Sequence, residues 1–283
     1  MSAWTDIIDD VVGHVALLKE LGVRTVELPA GFFAAWDKPP PQPVPPVAAQ
    51  TLFEKFKLPE GVSARMSAPP PTVELTPEAR REALAKIAAR VKACEECPLH
   101  AAGRTNVVPG QGNPDAPDVM FIGEAPGEEE DQQGLAFVGA AGKFLTKMIE
   151  AMGYTREQVF IANICKCRPP RNRVPDAMEM QKCLPFLREQ IRVIRPKVIV
   201  LLGGTAIKGI LNSQTGVTRM QGAWTSYDGI PVMPTYHPSY IIRFENSGDA
   251  AGMRTAKLQV WNALKLVLAR LGKPVPEQKK KDG

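Results

Sequence analysis

Four of the five cysteines have the spacing of ligands that share one metal centre. Cys94 and Cys97 form a C-x2-C pair, and Cys167 and Cys183 follow with fifteen residues between them. A zinc ribbon more often repeats the tight pair, whereas one tight pair with two distant cysteines suits a 4Fe-4S cluster. We therefore expect such a cluster, with zinc as the alternative. Cys165 lies close to Cys167, and spacing alone does not choose between the two as a ligand.

A glycine-rich, acidic segment follows residues 119–122, which we predict to be a strand. It comprises residues 123–131 and 134–142. Glycine lets the backbone approach a ligand closely, Phe137 offers a face for stacking, and an acid such as Glu124 can hold a water or stabilise positive charge. These features outline a pocket for a planar base, although the segment taken alone also fits an acidic loop with turn glycines.

Asn163 follows a second predicted strand, at residues 159–162, and leads into a basic loop. A carboxamide at the end of a strand could read the edge of a base. Pro169 and Pro170 would stiffen the loop, and its cations could contact phosphates. The candidates for such contacts are Lys166, Arg168, Arg171 and Arg173, a set that by itself also fits a solvated basic loop.

His237 follows a predicted strand at residues 232–235 and is one of three histidines in the chain. We expect it in a loop that Pro238 stiffens. A single histidine is most often structural, but its place at a strand end beside the other motifs favours a functional role.

The elements that must position these residues alternate between short β-branched runs and helical patterns. This alternation predicts an α/β fold, with a mainly parallel central sheet and helices on both faces. In such sheets, sites gather at the carboxyl ends of the strands. The predicted strands are 119–122, 159–162, 198–202 and 232–235, and the predicted helices are 76–93, 140–152, 176–194, 205–211 and 252–271.

The motifs fall in one of four predicted regions. Residues 1–37 form an N-terminal extension with an amphipathic helix, and residues 38–75 are a proline-rich linker. The domain that carries the motifs spans 76–272, and a basic tail occupies 273–283. We therefore expect the chemistry to reside in the third region.

Charge is unevenly distributed over the 283 residues. Residues 1–75 hold 6 Lys+Arg against 9 Asp+Glu, whereas residues 76–283 hold 29 against 21. The second part is the candidate for binding nucleic acid. No apolar run is long enough for a membrane span, the start of the chain lacks the pattern of a secretory signal, and we expect a cytoplasmic monomer with no membrane contact.

Five motifs follow one another along residues 80 to 271. They are C-x2-C, G-E-A-P-G-x3-D, F-V-G-x-A-G, N-I-x-K-C-R-P-P-x-N-R with a cysteine fifteen residues further on, and H-P-S. This ordered set resembles the family 4, iron-sulfur uracil-DNA glycosylases. One departure is Ala136, because the family usually has proline before the phenylalanine. That difference affects the stiffness of the loop more than its chemistry.

The resemblance implies a uracil-DNA glycosylase fold and a hydrolase of base excision repair that acts on uracil-containing DNA. It implies that the cluster ligands are Cys94, Cys97, Cys167 and Cys183, since Cys167 occupies the K-C-R-P-P position. It further implies a uracil site in which the backbone borders the base, an aromatic ring stacks on it, a carboxamide reads its polar edge and a histidine approaches O2. These residues are Gly123, Glu124, Ala125, Phe137, Asn163 and His237.

Such an enzyme must flip the nucleotide out of the duplex before it cuts the glycosidic bond. We expect His237 to stabilise the departing uracil anion and Glu124 to position water or favour the sugar cation. Residues 240–243 are candidates to fill the space that the base vacates, and Arg243 is a further candidate for DNA contact.

Two alternatives belong to other functional classes. A related group traps uracil-DNA covalently through a histidine-bearing insertion after F-V-G-x-A-G, and this sequence has no such insertion. A non-enzymatic iron-sulfur or zinc DNA-binding module would explain the cysteines and the basic loop. It would give no reason for His237 to accompany Asn163 and Phe137.

Overall fold

The computed structural model describes residues 75–276. The predicted helix in residues 1–37, nearly all of the proline-rich linker and the tail beyond residue 276 lie outside these residues.

The described residues form one six-stranded sheet. Its strands are β1 (Gln111–Gly112), β2 (Val119–Gly123), β3 (Phe160–Asn163), β4 (Val198–Leu202), β5 (Thr225–Tyr227) and β6 (Ile230–Thr235), in the order β1-β3-β2-β4-β6-β5. The four inner strands pair in parallel and the two edge strands pair antiparallel. The predicted α/β class with a mainly parallel sheet is confirmed.

The helices lie on both faces of this sheet because its inner strands bury side chains in both directions. On one face, Phe121 and Val200 pack in a cluster with Leu145 and Leu264. On the other face, Ile122 packs in a second cluster with side chains from other helices. The helices are α1 (Pro77–Lys92), α2 (Glu128–Gln133), α3 (Ala140–Ala151), α4 (Ala177–Ile194), α5 (Gly204–Leu211), α6 (Val217–Met220), α7 (Pro238–Ser247) and α8 (Ala250–Arg270).

Local signals set the helix starts. Thr76 caps α1 by accepting a hydrogen bond from the Ala79 N–H at 3.2 Å, and Asp176 caps α4 by accepting one from Glu179 at 2.8 Å. Both are residue types with a side-chain oxygen that satisfies an unpaired N–H in the first turn. The predicted starts of these two helices agree with the structure to within one residue.

His237 lies in the short connection after β6, as expected, but the sequence analysis missed the helix that begins directly after it. His237 is the N-cap of α7, and Pro238 is the first residue of that helix. Proline has no N–H to lose at that position and its fixed φ suits a first helical turn. The acidic segment likewise contains the short helix α2.

The register of the parallel strands brings the motif-bearing ends together. Gly123 at the end of β2 is paired with Asn163 at the end of β3, and Leu202 of β4 is paired with Thr235 of β6. The segments that follow these strands therefore meet at one edge of the sheet. None of the helices among residues 75–276 has the length and apolar character to cross a membrane.

Candidate active site and cysteine cavity

A cavity of about 270 Å³ lies at the carboxyl ends of β2 and β3, and we call it the first cavity. Side chains from four separate segments meet in its wall. They include Glu124, Ala125, Phe137, Asn163 and His237. All five are residues that the sequence predicted for the base site.

The close packing of this site depends on Gly123. A side chain at this position would collide with the Phe137 ring and with Asn163 Oδ1. The ring and the carboxamide can therefore approach each other only because residue 123 has no Cβ.

A buried carboxylate holds the loop that carries Phe137. Glu130 accepts hydrogen bonds from the N–H groups of Val138 and Gly139, both at 2.8 Å, and from Gly127 at 3.0 Å. Phe137 itself has a φ of +53°, an unusual conformation for a residue with a side chain. Sequence reasoning missed Glu130 because several acidic residues stand side by side there, and only the fold shows which of them are buried and that Glu130 binds the loop of Phe137.

Asn163 presents an unused hydrogen-bond acceptor. The residue is 2% exposed, and among the described residues its Oδ1 has no hydrogen-bond partner. A buried polar atom without a partner costs about 1–3 kcal/mol. A ligand with an N–H group at this position would remove that cost.

Glu124 stands between the first cavity and a neighbouring cavity of about 380 Å³, which we call the second cavity. The Thr205 hydroxyl donates a hydrogen bond to its Oε2. Thr205 lies in the first turn of α5, directly after β4. Sequence reasoning missed this residue, for which a threonine just after a strand end was the only signal.

His237 borders both cavities. The Ser239 N–H donates to its Nδ1 at 3.1 Å, and Ser239 Oγ lies 2.7 Å from the same nitrogen. Since Nδ1 is an acceptor here, the proton of the neutral ring resides on Nε2.

The charge state of His237 follows from its surroundings. Burial is the main cause that lowers the pKa of His237 to about 4, with a contribution from the positive charge of Arg243, whereas Glu130 acts in the opposite direction. The imidazole is therefore neutral near pH 7 and offers Nε2–H as a donor. Its ring centroid is 5.7 Å from that of Phe137.

The predicted contact of Lys166 with DNA phosphates is wrong. Lys166 is 1% exposed, and its Nζ donates to Asn163 O at 3.0 Å and to Gln190 Oε1 at 2.8 Å. It supports the segment behind Asn163 and does not reach the surface.

The arginines of the basic loop have different environments. Arg173 makes two hydrogen bonds to Glu179, at 2.8 and 2.6 Å, and still borders the first cavity. Arg168 donates to Asn172 Oδ1 at 2.7 Å. Arg171 and Arg243 are exposed.

A separate cavity, the cysteine cavity, is lined by Cys94, Cys97, Cys167 and Cys183. Arg104 donates to Cys167 Sγ at 2.9 Å, and the Lys166 N–H donates to Cys183 Sγ at 3.2 Å. Donors directed at sulfur are a usual feature around cysteine-ligated iron-sulfur centres. Within residues 75–276, no three Cys, His, Asp or Glu side chains are grouped as for a metal ion.

Cys165 is fully buried and is not part of the cavity wall. It lies against Cys183, and a hydrogen bond from the Cys165 thiol lowers the pKa of Cys183 below its ordinary value. Burial raises the pKa of Cys167 to about 11. Cys165 and Cys167, which spacing could not separate, thus differ in their access to the cavity.

Comparison with known proteins places this arrangement in a family. Residues 109–265 match the model of the uracil DNA glycosylase superfamily. The chain is 46% identical over 166 residues to the type-4 uracil-DNA glycosylase of Thermotoga maritima, covering 58% of this chain and 85% of that protein. For the type-4 uracil-DNA glycosylase of Sulfurisphaera tokodaii the identity is 47% over 167 residues, covering 56% and 75%. The type-5 uracil-DNA glycosylase of Pyrobaculum aerophilum is 29% identical over 181 residues, covering 53% and 80%. The chain belongs to the uracil-DNA glycosylase superfamily and, within it, to the type-4 uracil-DNA glycosylases.

Proposed function

We propose that this protein excises uracil from DNA by hydrolysing the N-glycosidic bond, as the first step of base excision repair. The observation that carries the proposal is the unpartnered acceptor of Asn163 in the first cavity, beside an aromatic ring and a histidine N–H donor. A base inside a duplex cannot reach this cavity, so the nucleotide must be flipped into it.

Uracil matches the polar groups of the cavity. Its N3–H can donate to Asn163 Oδ1, and its O4 can accept from the amide NH₂ of the same side chain. The backbone of Gly123, Glu124 and Ala125 borders the base, and Phe137 stacks on its face. One carboxamide thus reads both groups that distinguish uracil from cytosine.

His237 and Glu124 stabilise the two charges that develop when the bond breaks. The leaving uracil becomes an anion, and the sugar acquires oxocarbenium character. His237 donates its Nε2–H to uracil O2, and because it is neutral it does so without giving up a proton. Glu124 positions water or favours the sugar cation with the carboxylate oxygen that Thr205 leaves free.

We propose a 4Fe-4S cluster held by Cys94, Cys97, Cys167 and Cys183. The shared cavity, the all-cysteine donor set and the N–H groups directed at two of the sulfurs support it. When bound, such a cluster supplies a structural link between the segment after α1, the basic loop and α4, with no redox step in the reaction. Zinc is the alternative group for the same residues.

Arginines of the basic loop and of α7 supply the contacts with DNA phosphates. Arg168, Arg171, Arg173 and Arg243 fill this role, whereas Lys166 does not. Phosphate contacts of this kind fix the position of the duplex and carry little sequence information.

We further propose that the protein acts as a monomer in the cytoplasm. The predicted base-site residues meet within one chain, and no disulfide joins the cysteines of residues 75–276, which suits a reducing compartment.

The test is incubation of the purified protein with a uracil-containing oligonucleotide, followed by alkali. A strand nicked at the uracil position supports excision. A shifted, alkali-stable band would support covalent trapping, and an unchanged strand would support a binding module without activity. Helix α3 begins within the F-V-G-x-A-G motif and continues past it without interruption, which favours turnover over trapping.

A further inference from the structure

Flipping a base out of a duplex leaves a gap in the stack, and two of the predicted candidates to fill it, Tyr240 and Ile241, are packed against other side chains of the fold. Tyr240 stacks on Tyr236 at a centroid distance of 4.7 Å and meets Phe244 edge-on at 4.9 Å. Ile241 is fully buried. Ile241 is therefore unable to enter DNA, and Tyr240 is held by two aromatic contacts.

Val174 is an apolar side chain that the fold leaves exposed to solvent in the wall of the second cavity. It is 61% exposed, the highest value among the large exposed apolar side chains of residues 75–276. It also lines the second cavity, together with Glu124 and His237. Of the six exposed side chains in that group, Val174 is the one in the wall of this cavity.

The backbone that carries Val174 is held firmly on both sides. Arg173 donates to the Val174 carbonyl at 3.1 Å and is itself fixed by its two bonds to Glu179. Pro175 is buried, and the Asp176 N–H donates to Glu179 Oε2 at 2.8 Å. The exposure of Val174 therefore belongs to a rigid segment, which can press an apolar group into DNA at little cost in conformational entropy.

Arginines lie in the same cavity wall as this apolar side chain and close to it along the chain. Arg243 lines the same cavity, and the exposed Arg171 lies three residues before Val174 in the basic loop. An apolar side chain within a basic rim fits the stacked bases of a duplex between its phosphate strands.

We propose that Val174 enters the base stack beside the flipped uridine and holds the duplex open. The inference rests on the proposed uracil excision and adds the residue that contacts the remaining bases. On this proposal, Val174 raises the rate of excision from paired substrates and has little effect on the rate for a uracil that is already unstacked.

The test compares full-length wild type, Val174→Ala, Val174→Leu and the matched control Leu258→Ala in single-turnover excision. Leu258 is 58% exposed and lies in α8, away from the linings of both cavities. With Val174→Ala, excision from a U·A duplex should fall about tenfold, because the inserted Val174 side chain offsets an unstacking cost of a few kcal/mol. Excision from the same strand unpaired should stay within about twofold. Val174→Leu should retain the duplex rate, and Leu258→Ala should change neither rate.

Equal losses on both substrates, or no loss on either, would overturn the proposal. A second readout uses 2-aminopurine next to a non-cleavable uridine analogue, whose fluorescence rises when the neighbouring base unstacks. Wild type should raise the signal in a duplex and Val174→Ala should raise it much less, whatever the rate on single strands. A fluorescence rise with Val174→Ala as large as that with wild type also overturns the proposal. Failure of the wild type to release uracil from any substrate would contradict the proposed function instead.

Discussion

The carboxamide of Asn163 provides the sharpest prediction at the scale of single residues. Asn163→Asp places an acceptor where the amide NH₂ would face uracil O4, so uracil excision should fall by at least about tenfold, from a mismatch of about 1–3 kcal/mol. Cytosine, which presents an amino group there, should become less disfavoured relative to uracil.

The measurement is single-turnover cleavage of matched oligonucleotides that carry U or C, for wild type and variant. Iron content and circular dichroism of the two proteins show whether the variant is folded as the wild type is. A folded Asn163→Asp protein that keeps the wild-type preference would show that Asn163 does not read the base.

His237 should be essential as a neutral donor. His237→Ala removes the N–H that meets uracil O2, and loss of one such donor lowers the rate by about 10²–10³-fold. Single-turnover kinetics at saturating enzyme measures this loss. A variant that stays within about threefold of wild type would contradict the assignment.

The pKa of His237 also predicts a pH dependence of stability. The value of about 4 in the folded protein lies below the ordinary 6.5, so the unfolded state binds more protons between these two values. The contribution of this residue to stability is present above pH 6.5 and is lost as the pH falls toward 4. In urea unfolding, His237→Ala should therefore lose less stability than wild type across this interval.

Single residues were predictable where a strand end fixed their place. Asn163 and His237 were found because the ends of parallel strands meet at one edge. Lys166 was misplaced because its burial depends on Gln190, which the distant helix α4 brings to it. Glu130 and Thr205 act through contacts that no local pattern specifies.

At the scale of elements, we expect the start of α5 to influence the reaction through Glu124. Gly204 begins this helix directly after β4, and the helix thereby places the Thr205 hydroxyl on Glu124. Thr205→Val keeps the shape and removes the donor, so kcat should fall about tenfold, as expected for loss of a hydrogen bond to a charged group.

Because Thr205 touches Glu124 and not the base, KM should change little. Thr205→Ser keeps the hydroxyl and should restore most of the rate. A Thr205→Val protein with wild-type kcat, or a Thr205→Ser protein as slow as Thr205→Val, would show that this contact does not position Glu124.

Elements were predictable in proportion to their length and burial. The inner strands are continuous apolar runs, and β4 has the predicted bounds of residues 198–202. The edge strands β1 and β5 have only two and three residues and depend on pairing with neighbours that are distant or joined by a turn. Helix α7 was missed because a proline was read as stiffening a loop, although it also favours a first helical turn.

At the scale of the whole molecule, the cysteine cavity joins three parts of the chain, and the group bound there should support the basic loop. Protein purified without oxygen should contain four irons and four sulfides per chain, as the cluster stoichiometry requires, and show the broad visible absorption of thiolate-ligated iron. Iron and sulfide assays with absorption spectroscopy measure this. Stoichiometric zinc without iron would contradict the cluster.

The release of free uracil tests the central claim most directly. A duplex with a single uracil is incubated with the full-length protein, and free base is measured by mass spectrometry beside the abasic strand. The structure predicts one free uracil for each abasic site, far less free base from a matched cytosine duplex, and many turnovers per protein. A protein that binds the duplex yet leaves uracil attached to DNA, or that ends in a covalent adduct after one event, would contradict the account.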